Sequence, residues 1–408
     1  MGTVAAVNRT DPATAAPLAA AEPTAEPTAE PTAEPTAEPT AEPTAAPTAK
    51  PTAEPTAAPT AGPTAEPTAA STAVPTPDSS AQPTPEPTVA DVTEDQLLAL
   101  IFPLLSPGPA TLLGPGDDAA VVAAPDGRVV VSTDVLVEGR HFRRNWSTGA
   151  DVGWRAAMQN LADIAAMGAS PTSLVVTLVA PADLPVSWVT GLAGGLAAAC
   201  GPHGVGVVGG DLSGGDLIVV SVTVHGDLAG RPPVLRSGAR AGDVVAHAGV
   251  RGWSAAGLAL LDAGRGDVAP ELVRAYLRPD PPLGAGPVAA RAGATSMLDL
   301  SDGLLRDAGR IARASGVVLD LDPVADAFAE DLAVLAGAAR VLGARAADWV
   351  LAGGEDHGLL ATFPPGAVLP EPFRAVGRVR AAGPDGPTVL VAGAPPETAS
   401  PGWDHFAR

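Results

Sequence analysis

Lysine is nearly missing from this chain. Of 24 basic residues in 408, Lys50 is the one lysine, and the rest are arginine. That excludes a P-loop lysine, the strand lysine of protein kinases and Schiff-base chemistry. If the protein handles phosphates, it must use guanidinium groups, backbone N–H groups and metal ions. Cysteine is also scarce. Cys200 stands alone, which rules out an internal disulfide or a thiolate zinc site. Set in an alanine-rich stretch, it reads as a small core residue rather than a nucleophile. No apolar run reaches the roughly 18 residues of a membrane span, and the N-terminus lacks the basic start and apolar core of a secretory signal. Positive charge is outweighed by 45 acids, for a net of −21, so phosphate backbones and acidic membranes are repelled. The expectation is a soluble cytoplasmic protein with neither nucleic acid nor membrane as partner.

What is abundant first is proline. It recurs at every fourth position from Pro23 to Pro67 in a Glu/Ala-Pro-Thr-Ala repeat. Proline fixes φ and removes a donor, alanine and threonine offer little to bury, and the glutamates repel one another. Such a segment cannot offset its ordering entropy, so residues 1–90 are expected to be a disordered, extended tail without chemistry.

Globular patterning starts near Val92. Thr93-Glu94-Asp95-Gln96 ahead of Leu97, Leu98 and Ile101 has the form of a capped helix start. The β-branched runs at 129–135, 174–179, 205–208 and 217–224 read as strands. Between the first two, Trp154, Met158, Leu161 and Ala165 recur on one helical face that Gly168 and Pro171 end. Pro185 opens a second helix ending near Gly201. The order β-α-β-α-β-β makes residues 91–230 one mixed α+β domain. After Arg231-Pro232-Pro233, strands at 244–247, 297–300 and 317–321, a helix at 302–314 and late strands near Leu359, Val376 and Val389 make 231–408 a second, α/β domain.

Acids stand beside glycine, or at element ends, in five places: Gly114-Pro-Gly-Asp-Asp118, Ser132-Thr-Asp134, Asn160-Leu-Ala-Asp163, Gly209-Gly-Asp211 and Asp299-Leu-Ser-Asp-Gly303. Each has a plain structural alternative. Asp117 and Asp118 suit a turn. Asp134 is either a solvated strand end or a ligand, and shares its strand face with Ser132 while Thr133 takes the other. Asp163 alone reads as part of a solvated helix face with Gln159 and Asn160. Ser301 suits a helix cap with Asp302 at the positive dipole end. Asp299, inside a strand, is costly to bury unpaired. Together, and without lysine, these carboxylates suit hard cations, and Mg²⁺ with a nucleotide fits better than Ca²⁺ because no twelve-residue calcium loop is present.

At these residues the sequence resembles the thiamine-monophosphate kinase family of the aminoimidazole-ribonucleotide-synthetase-like superfamily. The likeness runs from about Thr93 to Arg408. It rests on Gly116-Asp-Asp-Ala119, Ser132-Thr-Asp-Val-Leu-Val-Glu-Gly-Arg-His-Phe142, Asn160-Leu-Ala-Asp-Ile-Ala-Ala-Met-Gly-Ala169, Gly209-Gly-Asp211, Arg236-Ser-Gly238, Leu277-Arg-Pro279, Asp299-Leu-Ser-Asp-Gly-Leu304, Gly353-Gly-Glu-Asp356 and Gly402-Trp-Asp-His-Phe406. The resemblance implies a two-domain synthetase-like kinase fold, with N-terminal sheets joined across a homodimer. It also implies transfer of the γ-phosphoryl group of ATP to thiamine monophosphate, the last step of thiamine diphosphate biosynthesis. By motif, Asp118, Ser132, Thr133 (through its carbonyl), Asp134, Asp163, Asp211, Asp299 and Asp302 correspond to ligands of several Mg²⁺ ions. Gly210, Asp211, Arg236 and Ser301 correspond to ATP contacts, and His141, Glu355 and Trp403 to thiamine contacts. No residue is assigned as a general base. His357-Gly358 departs from the tyrosine and glutamate frequent in the family, which bears on the substrate pocket. The alternatives are another ATP-using enzyme of the superfamily, such as aminoimidazole ribonucleotide synthetase, and a non-catalytic nucleotide-binding module. The module would be expected to have lost its metal carboxylates.

Overall fold

The computed structural model describes residues 86–115, 119–398 and 400–403; the repeat tail and Asp118 lie outside the described residues. The chain enters through a short turn at Val89–Asp91 and helix α1 (Glu94–Ile101). Thr93 caps α1 as its sequence promised, accepting from the Gln96 N–H while the Gln96 side chain accepts from the Thr93 N–H. A small antiparallel pair follows, β1 (Thr111–Leu113) with β2 (Val121–Val122). Then come β3 (Val130–Val137), α2 (Gly149–Ala166), β4 (Ser170–Ala180), α3 (Val186–Cys200), β5 (Gly206–Gly214) and β6 (Val219–Asp227). This is the β-α-β-α-β-β order read from the sequence. The four strands form one sheet in the order β3-β6-β4-β5, with β4 and β5 parallel and the other pairs antiparallel.

Helices α2 and α3 cover one face of this sheet. Val152, Met158, Leu161 and Ile164 of α2, Leu192 and Leu196 of α3, and Leu174, Val220, Val222 and Val224 of the strands are buried together. The two helices approach closely because glycines line the crossing. A Cβ on Gly153 would come within 2.1 Å of the Leu192 carbonyl oxygen, so no larger residue fits there without moving a helix. The other sheet face is open: Val131 and Val135 of β3 are 59% and 44% exposed.

The second half holds β7 (Val244–Ala248), α4 (Trp253–Asp262), α5 (Pro270–Leu277), α6 (Ala285–Arg291), β8 (Ser296–Asp299), α7 (Leu304–Ser315) and β9 (Val317–Leu321). It closes with α8 (Val324–Ala327), α9 (Ala329–Leu342), α10 (Ala346–Ala352), β10 (Leu359–Phe363), β11 (Arg374–Ala381) and β12 (Thr388–Val391). Its strands form a six-stranded sheet, β12-β9-β11-β7-β10-β8. Only the β12–β9 pair is parallel, so the sheet is mainly antiparallel rather than the crossover-built sheet that an α/β pattern suggests. Its core gathers Leu260, Leu272, Leu304, Ile311, Leu319, Leu335 and Val376. A third cluster joins the halves. Ala166 at the end of α2 packs with Ala285 and Ala289 of α6 and with Ala246 and Met297 of the second sheet.

Helix α2 is therefore not the amphipathic surface helix that its periodicity suggests. Its apolar face meets the first sheet and α3, and its polar face is turned toward the second sheet and is largely buried too.

Candidate active site

The polar face of α2 organises the site. Arg155, Gln159 and Asp163 stand four residues apart, so they project in one row. Each meets a different partner. The Ser132 hydroxyl donates to Asp163 Oδ2 at 2.7 Å, and Gln159 Nε2 donates to Asp134 Oδ2 at 3.4 Å. Arg155 Nη2 donates to Glu355 Oε2 at 2.6 Å. Alternation along β3 places Ser132 and Asp134 toward α2, while the Thr133 side chain faces away and donates to the Val222 carbonyl. Thr133 can thus offer the site only its backbone.

From the second sheet, β8 delivers Asp299, which is 6% exposed. Its Oδ2 lies 3.2 Å from His357 Nδ1, and His357 Nε2 lies 3.7 Å from Glu355 Oε2. The loop carrying Glu355 and His357 lies across the end of β8 through Glu355 N–H to Ser301 O at 2.8 Å and His357 N–H to Leu300 O at 3.2 Å. A Cβ at Gly354 would sit 2.4 Å from the Ser301 carbonyl oxygen, so only glycine allows this approach. Glu355 and His357 themselves hold φ of +70° and +52°. For residues with side chains that costs on the order of 1–3 kcal/mol each, a strain tolerated where a site needs it.

The electrostatics follow from burial and crowding. Asp163 is pushed up from 3.8 to about 7, first by burial and then by the charges of Asp299 and Asp134. Asp134 is raised by burial, partly offset by His357, with Asp299 and Glu355 adding to the rise. For Glu355, burial alone would raise the carboxyl, but Arg155 and His357 reverse this and hold it well below the usual carboxylate range. Burial would likewise lower His357, yet its hydrogen bond to Asp299 and the charge of the Glu355 carboxylate 3.7 Å away carry it up to about 10, which favours the protonated imidazole. The histidine thus places a cation between two acids.

Asp302 and Ser301 take different roles from those their sequence suggests. Helix α7 is not capped by Ser301; its N-cap is Gly303. Asp307, one turn inside, accepts from the backbone N–H groups of Asp302 and Gly303 at 3.0 and 3.1 Å. Ser301 is left at the strand end, its hydroxyl not spent on the helix. The Asp302 carboxylate pairs with Arg310 and, at 3.6 Å, with Arg306, while its carbonyl accepts from Trp403 N–H at 2.8 Å. Trp403 is 52% exposed beside this strand end. His141, after β3, accepts from Val137 N–H through Nδ1 at 2.9 Å.

Asp211 and Gly210 lie elsewhere on the first sheet. They are on the outer strand β5 and line a cavity of about 540 Å³ with Pro115 and Ala119 and apolar residues of α1 and α3. Pro115 and Ala119 flank Gly116-Asp-Asp118, which lies outside the described residues. Arg236 is exposed on the linker between the sheets, and its carbonyl accepts from Ser296 and Ser315. The structure thus brings Ser132, Asp134, Asp163, Asp299, Glu355 and His357 into one network. Among the described residues, no three acids, histidines or cysteines close around a single ion position. The donor chemistry still suits a hard cation: the acids are oxygen donors, burial and then the charges of Asp299 and Asp134 lift Asp163 to about 7, and a cation would offset both.

Sequence reasoning missed Arg155, Tyr276 and the structural part played by His357. Arg155 looked like an ordinary polar position on a helix. Its burial depends on Glu355, two hundred residues away, and the only local hint was its four-residue spacing from Gln159 and Asp163.

Two sheets that meet at an acid-rich seam suit a protein that holds an anionic ligand through hard cations. Residues 116–228 match the profile described as AIR synthase related protein, N-terminal domain, and residues 12–49 match the PT disordered repeat. The thiamine-monophosphate kinase of Mycobacterium tuberculosis is 51% identical over 301 residues, covering 74% of this chain and 88% of that protein. A crystal structure of thiamine monophosphate kinase from Aquifex aeolicus is 33% identical with a TM-score of 0.60, covering 67% of this chain and 91% of that one. AaThiL complexed with AMPPCP and TMP is likewise 33% identical, with a TM-score of 0.62 and coverage of 71% and 91%. The chain belongs to the thiamine-monophosphate kinase family.

Proposed function

We propose that this protein transfers the γ-phosphoryl group of ATP to the phosphate of thiamine monophosphate, giving thiamine diphosphate and ADP. The observation that carries the reading is the network in which Asp134, Asp163 and Asp299 crowd one seam beside Glu355, in a chain 51% identical to a thiamine-monophosphate kinase. Support also comes from a similar solved protein described as complexed with AMPPCP, an ATP analogue, and TMP.

Several Mg²⁺ ions belong to this proposal, held by Asp118, Asp134, Asp163, Asp211, Asp299 and Asp302 with the Ser132 hydroxyl and the Thr133 carbonyl. Bound there, they would neutralise phosphate oxygens and orient the nucleotide. The chain's own residues do the rest. Gly210, Asp211, Arg236 and Ser301 contact ATP, with the Arg236 fork meeting a phosphate in the absence of lysine. Glu355 accepts from the aminopyrimidine, Trp403 lies against a cationic or aromatic ring of thiamine, and His141 meets the substrate phosphate. No general base is needed, because the acceptor phosphate is already anionic at neutral pH; positioning in line supplies the rate.

A homodimer and a cytoplasmic setting, where ATP is supplied, complete the proposal. The open face of the first sheet, with Val131 and Val135 exposed, supports a second copy closing over it. Among the described residues, no helix is long and apolar enough to cross a membrane. The test is choice of acceptor. Purified protein given ATP and Mg²⁺ should turn over thiamine monophosphate and ignore formylglycinamidine ribonucleotide. Turnover of the ribonucleotide alone would assign the chain to the synthetase branch instead.

A further inference from the structure

Arg155 is a fully desolvated guanidinium, 3% exposed, in the wall between the two sheets. Besides its bond to Glu355, its Nη1 donates to the Tyr276 carbonyl at 3.3 Å, and its Cζ lies over the Tyr276 ring, 4.5 Å from the ring centroid. The Tyr276 hydroxyl in turn donates to the His141 carbonyl at 3.0 Å. Arg155 belongs to α2, Tyr276 to α5, Glu355 to the loop before β10 and His141 to the segment after β3. Two buried side chains therefore tie together two surface-reaching residues from opposite halves of the protein.

We propose that Arg155 and Tyr276 are positioning residues for the thiamine acceptor, fixing Glu355 and His141 at a set separation across the substrate pocket. This rests on the kinase reading given above. The division of labour at the Glu355 carboxylate carries the argument. Oε2 faces Arg155 at 2.6 Å and His357 at 3.7 Å, whereas among the described residues no donor meets Oε1. One oxygen is anchored in protein, and the other is left for an amino group on a substrate. A carboxylate at the tip of a loop with φ of +70° would otherwise sample several directions, and that ordering would have to come from binding energy. The arginine removes that freedom before the substrate arrives. Tyr276 performs the equivalent service for His141, holding its backbone from beneath while its ring supports the guanidinium.

Lysine at position 155 retains the charge but not the planar fork, so it cannot hold Glu355 and the Tyr276 carbonyl together. Arg155→Lys should raise KM for thiamine monophosphate about tenfold, while KM for ATP stays within about twofold. Tyr276→Phe keeps the ring and loses one hydrogen bond, and should raise the same KM about threefold, again sparing ATP. A residue that merely supported the fold would lower Tm and the active fraction but leave both KM values alone. The experiment is steady-state kinetics of full-length wild type and the two variants, varying each substrate in turn, with Tm measured alongside. If Arg155→Lys does not fold, Tyr276→Phe decides. Unchanged KM for thiamine monophosphate in the folded variants, with active wild type, overturns the positioning role and leaves the kinase reading intact. Inactive wild type overturns that reading and this inference with it.

Discussion

Replacing Asp163 with asparagine should stabilise the metal-free protein at pH 8 while impairing catalysis. The carboxyl is pushed from 3.8 to about 7 by burial first, then by Asp299 and Asp134. An acid whose folded pKa lies above its unfolded value binds its proton more tightly in the folded chain. Its stability contribution is greatest below the unfolded pKa, is lost as pH climbs between the two values, and stays low above the folded one. The whole shift corresponds to a penalty of about 4 kcal/mol at pH 8. Asp163 is partly exposed and its proton is shared with acidic neighbours, so the net expectation is about 2 kcal/mol. Asparagine removes that penalty and retains an oxygen for the Ser132 hydroxyl, which donates at 2.7 Å in the native chain. The assay is urea unfolding followed by circular dichroism, in chelator, at pH 4 and pH 8. The advantage of Asp163→Asn over wild type should grow by about 2 kcal/mol between those pH values, and added Mg²⁺ should stabilise wild type more than the variant. A stability difference independent of pH, or a variant weaker than wild type at pH 8, would refute the reasoning.

Arg251 is fully buried, pairing with Asp356 at 3.2 Å and donating to the carbonyls of Val350 and Gly353. Arg251→Met should therefore cost about 3–5 kcal/mol in urea unfolding by leaving Asp356 without its cation; a loss below about 1 kcal/mol would contradict this. Burial pushes the Cys200 thiol up to about 12, so a thiol reagent at pH 8 should label it only after denaturant is added, and fast labelling of the native protein would show that the α3 core opens. Deleting residues 1–85 should leave kcat/KM within about twofold, since the repeat supplies no side chain suited to the chemistry. The cut must stop there, because Val89 N–H donates to Leu184 O and Val186 N–H to Pro87 O.

Element order in the first half was legible because strand and helix periods alternate cleanly there, and because Thr93, Gly168 and Pro185 mark ends by local chemistry. Strand order in the second half was not legible. Pairing β9 with both β11 and β12 depends on contacts that no local pattern encodes. The acids of the site were visible as residue types, since unpaired carboxylates at strand ends are costly. Their partners were not. Asp163 reads as solvated until the second sheet covers α2. Ser301 reads as a cap until Asp307 is seen bonding the two N–H groups that open the helix. His357 reads as a departure from its family until it is found between Glu355 and Asp299. In each case the deciding partner is distant in sequence or is one of two plausible local choices.

The most direct measurement is phosphorus NMR of the full-length protein with ATP, Mg²⁺ and thiamine monophosphate. The account predicts thiamine diphosphate and ADP appearing in equal amounts, with no release of inorganic phosphate. ADP accompanied by inorganic phosphate, or no reaction while the protein is folded and loaded with metal, would contradict it.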